Sequence, residues 1–386
     1  MFCDKKIGIE NIGFYTSGTY LSLKELAKNT NQDEDKFIQG IGQEQMSIIT
    51  KQEDIITMGY NATIEFLNEK QKNEIGLFLF ATESAIDCSK SSANTLHGLL
   101  GLSKNCRCLE VKQACYGGTG AIMLAIDFVK THKNKKALVI ASDVAFYGLN
   151  TSGEATQGCG AVAILISNKP NIAIFNNDNL YLTDEKNDFY RPQFQDKPIY
   201  DGHYSIKCYL QMFKALFEKY TTNHKKIEYL ITHMPFTKMF DKCSKEAKIN
   251  ENLNFIESVK KYNKIIGNTY TASIYIGLIS LLENYTKDLT KKNIVLFSYG
   301  SGAECEIYSI KILKNYNRFL NKELHNNMLN SRIKIDYNKY VELMNYFNQR
   351  EKQLNIVIEN DDDNFYQNSK IKLIEIKNGI RNYKIS

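Results

Sequence analysis

Four side chains of this 386-residue sequence could share one chemistry: a thiol, a carboxyl, an imidazole and a carboxamide. Cys115 stands in "ACYGGTG", between a short apolar lead-in and a long apolar run. A thiolate is a strong nucleophile, and a helix N-terminus lowers a thiol's pKa through its unpaired N–H groups. Gly117, Gly118 and Gly120 permit a tight turn and close approach to the backbone, where an amide N–H can face an oxyanion. The same pattern fits a buried structural cysteine. Glu83 ends the apolar run "LFLFATE". A carboxyl there is partly desolvated, which raises its pKa and makes it a better base; it also fits a helix N-cap or a surface residue. His233, in "THMPFTKM", follows an apolar run and precedes Pro235, so it sits in a turn as a base, a donor to a carbonyl, or a plain polar residue. His97 lies on a predicted helix and His203 in a loop, while His132, His224 and His325 lie in Lys/Asn-rich stretches expected to be exposed. Asn268, in "IIGNTYTAS", opens a helix as a site residue or as its N-cap. "FSYGSG", Phe297 to Gly302, is a strand followed by a Gly-rich turn that either offers N–H groups to an anion or ends the strand.

The elements that must position these groups alternate in type. Short apolar runs at Ile75–Thr82, Ala137–Ser142, Ala161–Ser167, Ile227–Thr232 and Ile294–Ser298 are predicted buried strands. Between them, Ser91–Leu100, Gly120–Lys130, Ile206–Lys219 and Ala272–Glu283 have helical period. Strand-helix alternation with Gly-rich turns predicts α/β layering. A faint internal repeat runs through it. From Glu83 to Cys115 is 32 residues, and from His233 to Asn268 is 35. From Cys115 to Asp143 is 28, and from Asn268 to Ser298 is 30. Two like halves related by a two-fold would bring these side chains to one cleft, although any α/β chain repeats at about this interval. The seam is expected near Asn168–Asn179, giving halves 1–168 and 169–386.

The 49 basic and 43 acidic residues leave a net charge of +6, spread too thinly to imply nucleic-acid binding. Lys238, Lys242 and Lys245 recur at one helical turn and could face phosphates or only solvent. The nine cysteines form no C-x-x-C pair, and the C-x-C at Cys106 and Cys108 has no partner pair. Reduced thiols are expected, and no zinc site, since His203 and Cys208 fit no standard ligand spacing. No apolar segment is long enough to span a bilayer and the start lacks a signal peptide's apolar core, so a cytoplasmic protein without a membrane is expected.

Taken together, "ACYGGT", "ATES", "HMPFTKM", "GNTYTASIY" and "FSYGSG" resemble the hydroxymethylglutaryl-CoA synthase family of the thiolase superfamily. The resemblance runs from "IGIENIGFYTS" through "FIQGIGQEQMSI", "YGLNTSGEATQGCGAVA", "NDFYRPQF" and "PIYDGHYSIKCYL" to "IKNGIRNYK", essentially the whole chain. It implies a five-layered αβαβα thiolase-like fold of two similar halves, and a homodimer. It implies that Cys115 is the acylated nucleophile, Glu83 the general acid/base and His233 the group that orients, polarises and protonates the second acyl-CoA, with Asn268 beside it. It implies that the Ser301 N–H joins that of Cys115 in an oxyanion hole, that Tyr147 lines the acyl pocket, that Asp143 and Asp201 support the site, and that Lys238 contacts CoA. The implied reaction joins acetyl-CoA to acetoacetyl-CoA through an acetyl-Cys115 thioester, with no metal or redox cofactor. Relatives that condense on a carrier-protein-bound β-ketoacyl chain, as in polyketide β-branching, are the alternative; "YGLNTSGEATQG" and "PIYDGHYSIKCYL" look more like the CoA enzyme. A ketoacyl-carrier-protein synthase would lack Glu83 in its role, and a non-catalytic scaffold would not need all of these groups.

Overall fold

A computed structural model describes residues 6–223, 227–248 and 253–386. His224 therefore lies outside the described residues. The strands of the main sheet, in chain order, are β1 (Gly8–Tyr15), β2 (Ile75–Ala81), β3 (Arg107–Val111), β4 (Lys136–Ala145), β5 (Gly158–Ser167), β6 (Ala173–Phe175), β7 (Leu180–Thr183), β8 (Leu230–Thr232), β9 (Asn293–Gly300) and β10 (Glu304–Ile312). The helices that bear on the site are α1 (Ile55–Ile64), α2 (Ser92–Leu100), α3 (Gly117–Thr131), α4 (Gly202–Asn223), α5 (Thr237–Glu246), α6 (Leu253–Ile266) and α7 (Ser273–Asn284).

The strand order is β8-β9-β10-β6-β1-β5-β4-β2-β3, with β7 added beside β10. The order and the strand sense are duplicated. In the first half β2 runs parallel to β4, then β5 and β1 follow antiparallel. In the second half β8 runs parallel to β9, then β10 and β6 follow antiparallel. Among the described residues, the two ladders meet where Gly8 and Ile9 pair with Ile174 and Ala173. So short a joint lets the two sheets turn and enclose helices between them. The inner helices are α3 and α7, whose first turns touch: Thr119 Oγ1 lies 2.6 Å from the Tyr275 hydroxyl. Every residue of α7 from Ser273 to Glu283 is buried, as a helix covered on all sides requires. This is the thiolase-like layering that the resemblance implied.

Local sequence explains most of these elements. β2 is wholly apolar and wholly buried, fitting a parallel strand covered on both faces. α1 begins at a capping box: Asp54 accepts from the Ile56 and Thr57 N–H groups, and Thr57 Oγ1 accepts from the Asp54 N–H at 2.8 Å. Four expectations are adjusted, the first being that His203 lies in the first turn of α4 rather than in a loop. β8 is three residues long rather than the predicted Ile227–Thr232. β4 continues to Ala145, so Asp143 lies within the strand and not after it. His325 is buried, not exposed: Nδ1 lies 2.7 Å from Glu283 and the ring packs tilted against Phe14, with centroids 4.3 Å apart. The Lys/Asn-rich end docks on the first half through charge. Arg350 is fully buried and donates to the carbonyls of Lys51 and Glu53 at 2.7 and 2.8 Å, while Arg381 pairs with Asp54 at 3.1 Å.

Candidate active site

β2, β4, β8 and β9 all point their C-terminal ends toward one region, and α3 and α7 begin there. The chain reaches Cys115 from β3 through Ala114, whose φ of 44° is left-handed. That conformation costs a non-glycine residue about 1–2 kcal/mol. The corresponding turn before α7 holds Tyr270 at the same φ of 44°. Strain thus sits at equivalent places in both halves, beside Cys115 and Asn268.

Cys115 Sγ donates to Glu83 Oε1 at 2.9 Å. Burial first, and then the Glu83 carboxylate, hold the thiol well above its usual pKa. The helix N-terminus does not win here: the resting sulfur keeps its proton and needs a base in the act. Glu83 is that neighbour. Burial, reinforced by Asp143, pushes its carboxyl up to about 8. Asp143 is fully buried on β4. Its Oδ1 accepts from Thr82 Oγ1 and from the Glu83 and Ser84 N–H groups at 2.8, 2.7 and 3.0 Å. Its Oδ2 accepts from the Thr271 N–H at 3.1 Å and from the Thr271 hydroxyl. One carboxylate therefore fixes the Glu83 turn and ties it to the start of α7, in the other half.

A cavity of about 360 Å³ opens beside the thiol, lined by Cys115, Tyr147, His233, Asn268 and Ser301 among others. Tyr147 forms an aromatic box with Phe189, Tyr200 and Tyr270, with ring centroids 5.8, 5.5 and 6.1 Å away. Asn268 Nδ2 donates to the Tyr147 hydroxyl at 3.4 Å, and its Oδ1 accepts from the Tyr270 N–H at 2.9 Å. His233 follows β8, its N–H donating to the Phe297 carbonyl at 2.8 Å and its carbonyl accepting from Tyr209 at 2.7 Å. Burial alone lowers its pKa to about 3, so the ring is neutral at physiological pH. Its Nδ1 is buried without a protein partner. A buried imidazole nitrogen left unpaired costs stability and fits a ligand-facing group.

Ser301 follows Gly300, which packs directly on the nucleophile's turn. A Cβ on Gly300 would lie 2.5 Å from the Tyr116 nitrogen and 2.6 Å from the Gln113 carbonyl. Gly300→Ala must push that turn away. We expect a loss of about 1–3 kcal/mol in chemical denaturation together with slower acylation of Cys115; unchanged values of both would contradict this contact.

Two of the sequence-predicted residues stand apart. Lys238 is half-buried, 3.5 Å from Asp241, between the lining residues Phe236 and Met239, and does not itself line the cavity. It shares with Lys242 the solvent face of α5, whose buried face is Met239, Phe240 and Cys243. Asp201 does not line the cleft: it is exposed and caps α4, accepting from the His203 and Tyr204 N–H groups at 2.9 and 3.0 Å. The buried aspartate is Asp188, which the sequence reading passed over in "NDFYRPQF". It accepts from the Tyr299 hydroxyl at 2.8 Å and the Gly302 N–H at 3.0 Å, anchoring the turn that carries Ser301. Arg191, three residues on, donates to the Glu83 carbonyl. Among the described residues, no group of three His, Cys, Asp or Glu side chains within metal-binding reach lies at this cavity.

Two like α/β halves that put a thiol, a carboxyl and a neutral imidazole around one apolar cavity define a thiolase-type condensing enzyme. The comparisons narrow the class. A family model described as hydroxymethylglutaryl-coenzyme A synthase N terminal matches residues 3–171, and its C-terminal counterpart matches residues 245–382. The chain is 39% identical over 349 residues to the hydroxymethylglutaryl-CoA synthase of Enterococcus faecalis, covering 86% of this chain and 90% of that one. It is 33% identical to the polyketide biosynthesis 3-hydroxy-3-methylglutaryl-ACP synthase of Bacillus subtilis, over 78% of this chain and 79% of that one. A crystal structure of HMG-CoA synthase complexed with CoA superposes with a TM-score of 0.92 at 33% identity, covering 99% of this chain and all of that one. The chain belongs to the hydroxymethylglutaryl-CoA synthase family and is an acyltransferase-type condensing enzyme.

Proposed function

We propose that this enzyme condenses acetyl-CoA with acetoacetyl-CoA to give 3-hydroxy-3-methylglutaryl-CoA, the precursor step of the mevalonate pathway. The observation that carries the reading is the Cys115 Sγ–Glu83 Oε1 hydrogen bond of 2.9 Å at the wall of a cavity shared with neutral His233. Glu83 takes the thiol proton as sulfur attacks the acetyl carbonyl, and returns it to the departing CoA thiolate. The carbonyl oxygen of the acetyl-Cys115 thioester lies toward the backbone of Cys115 and Ser301. Glu83 then removes a methyl proton, and the enolate carbon attacks the ketone carbon of acetoacetyl-CoA. His233 polarises that ketone as a neutral hydrogen-bond donor. Burial keeps the His233 ring neutral, and the proton that Glu83 removed balances the one the alkoxide takes up. Water then cleaves the thioester, leaving a carboxylic acid on the product and the thiol on Cys115.

Asn268 and Tyr147 shape the acyl pocket, Asp143 holds Glu83, and Asp188 takes the supporting role expected of Asp201. Lys238, half-buried beside the lining residues Phe236 and Met239, meets the CoA phosphates. The two functional halves are 1–168 and 169–386. No cofactor beyond the acyl-CoA substrates takes part. The enzyme works as a cytoplasmic homodimer; the free state of all eight described cysteines and the unpaired outer edge of β3 are compatible with this. No helix among the described residues is long and apolar enough to cross a membrane.

The second reading, condensation on a carrier protein, draws support from the Bacillus subtilis relative and from a curacin-pathway HMG synthase solved with a donor carrier protein, which superposes at a TM-score of 0.91 and 26% identity. Parallel assays with acetoacetyl-CoA and an acetoacetyl carrier protein decide between the two: faster turnover of the carrier-bound substrate overturns the CoA reading. His233→Ala should still be acetylated by acetyl-CoA but lose most of its use of acetoacetyl-CoA, by a factor of about 10²–10⁴. Steady-state kinetics and acetyl labelling on the same variant check the split; unchanged turnover would remove His233 from the reaction.

A further inference from the structure

The C-x-C pair at Cys106 and Cys108 gains in the fold the partner that it lacks in the sequence. Cys108 lies on edge strand β3 and Cys106 stands just before it. Residues two apart on an extended chain point to the same side, and that side carries α2. His97 is in the last turn of α2, and Gly101, left-handed at φ 65°, turns the chain back toward the strand. One ring nitrogen of His97 and the two Sγ atoms all lie within 4.8 Å of one another. This is the one such group among the described residues, and the cavity chemistry does not use it.

We propose that His97, Cys106 and Cys108 form a binding site for a zinc-class cation. Two thiolates and an imidazole are a soft-to-borderline donor set, which selects Zn²⁺ or a similar ion over Mg²⁺ or Ca²⁺. Zn–S and Zn–N bonds of about 2.3 and 2.1 Å in a tetrahedron place the ligand atoms roughly 3.5–3.8 Å apart. The three atoms are within about an ångström of that, a distance that cysteine χ1 rotation covers. Little else holds the thiols: Cys106 Sγ meets the Arg107 carbonyl at 3.7 Å and Cys108 Sγ the Cys106 carbonyl at 3.9 Å, both weak contacts. The Nε2 of His97 lies 3.0 Å from the Ser103 carbonyl, which fixes the ring. Backbone carbonyls commonly orient metal-binding histidines in this way. All three residues are partly exposed, which leaves an entry path and room for water as a fourth ligand. Binding releases the two thiol protons to solvent and forms two metal–sulfur bonds and one metal–nitrogen bond. The ion would fasten the end of α2 to β3. Pairing of a second copy along the β3 edge would use backbone groups in the plane of the sheet, and the thiols point out of that plane.

Co²⁺ is the probe, titrated into the reduced, metal-free full-length protein. The expected result is a thiolate-to-cobalt charge-transfer band that saturates at about one ion per chain and is bleached by added Zn²⁺. Cys88→Ser and Cys115→Ala should keep the band. Cys106→Ser/Cys108→Ser should lose it, and His97→Ala should weaken binding by about 10-fold or more. Zn²⁺ should also raise the melting temperature of the wild-type protein and not that of the double variant. No charge-transfer band in the wild type, an undiminished band in a folded double variant, or an equal thermal shift in both overturns the site. None of these readouts depends on the acyl-transfer reaction.

Discussion

Cys115→Ala is expected to abolish covalent labelling by acetyl-CoA and to lower turnover by a factor on the order of 10⁴ or more. No other described cysteine is placed to substitute. Cys159, Cys208, Cys243 and Cys305 are buried, and Cys88, Cys106 and Cys108 do not line the cavity. The loss should appear in both acetylation and condensation, because every later step uses the same thioester. Mass spectrometry of the acetyl adduct is the direct measurement. Label of wild-type intensity on the variant would move the nucleophile elsewhere.

Glu83→Gln is expected to divide the reaction differently. Gln is nearly isosteric and keeps a carbonyl oxygen for the Cys115 thiol, so slow acetylation survives. Enolate formation needs a base, and condensation should fall by about 10²–10⁴. In the wild-type enzyme the proton-abstraction step should rise about tenfold per pH unit and level off above about 8, where Glu83 becomes a carboxylate. That limb should vanish in the variant. Stability carries the same signature with the opposite benefit. The folded value of about 8 lies above the unfolded 4.5, so the native state favours protonated Glu83. The stability this provides is complete below the unfolded value and is lost as pH rises through the folded one. Glu83→Gln should therefore melt above the wild type at pH 8 and beyond, with the gap closing toward pH 4.5. A variant that condenses at the wild-type rate, or shows the same pH limb, would refute the assignment.

The parts of this molecule that were legible in its sequence are those built from uninterrupted apolar runs. β2, β4, β5 and β9 are such runs; Glu83 and Ser301 lie just past the ends of β2 and β9, and Asp143 lies near the end of β4. β10 was missed because "ECEIYSIKI" alternates with charge, although most of it is buried. Glu306 is tolerated inside because Tyr116 and Asn179 satisfy its two oxygens at 2.6 and 2.9 Å. Asp188 left no local signal, because the Tyr299 hydroxyl and Gly302 N–H that define it come more than 100 residues later. Asp201, in contrast, carries a signal that was available: an aspartate directly before a long amphipathic stretch is a helix cap. His325 looked solvated among asparagines and lysines. Only Glu283, on α7, shows why it is buried.

The partners of the two Asp143 oxygens are made at different stages of synthesis. One oxygen is satisfied by Thr82, Glu83 and Ser84, all made before it, and the other by Thr271, made 128 residues later. A ribosome extending this chain therefore completes the thiol and its carboxyl long before the residues that enclose them. During that interval His233, Thr271 and the Ser301 turn do not yet exist. The nascent first half thus holds the thiol and its carboxyl before the residues that complete their surroundings, His233, Thr271 and Ser301, have been added.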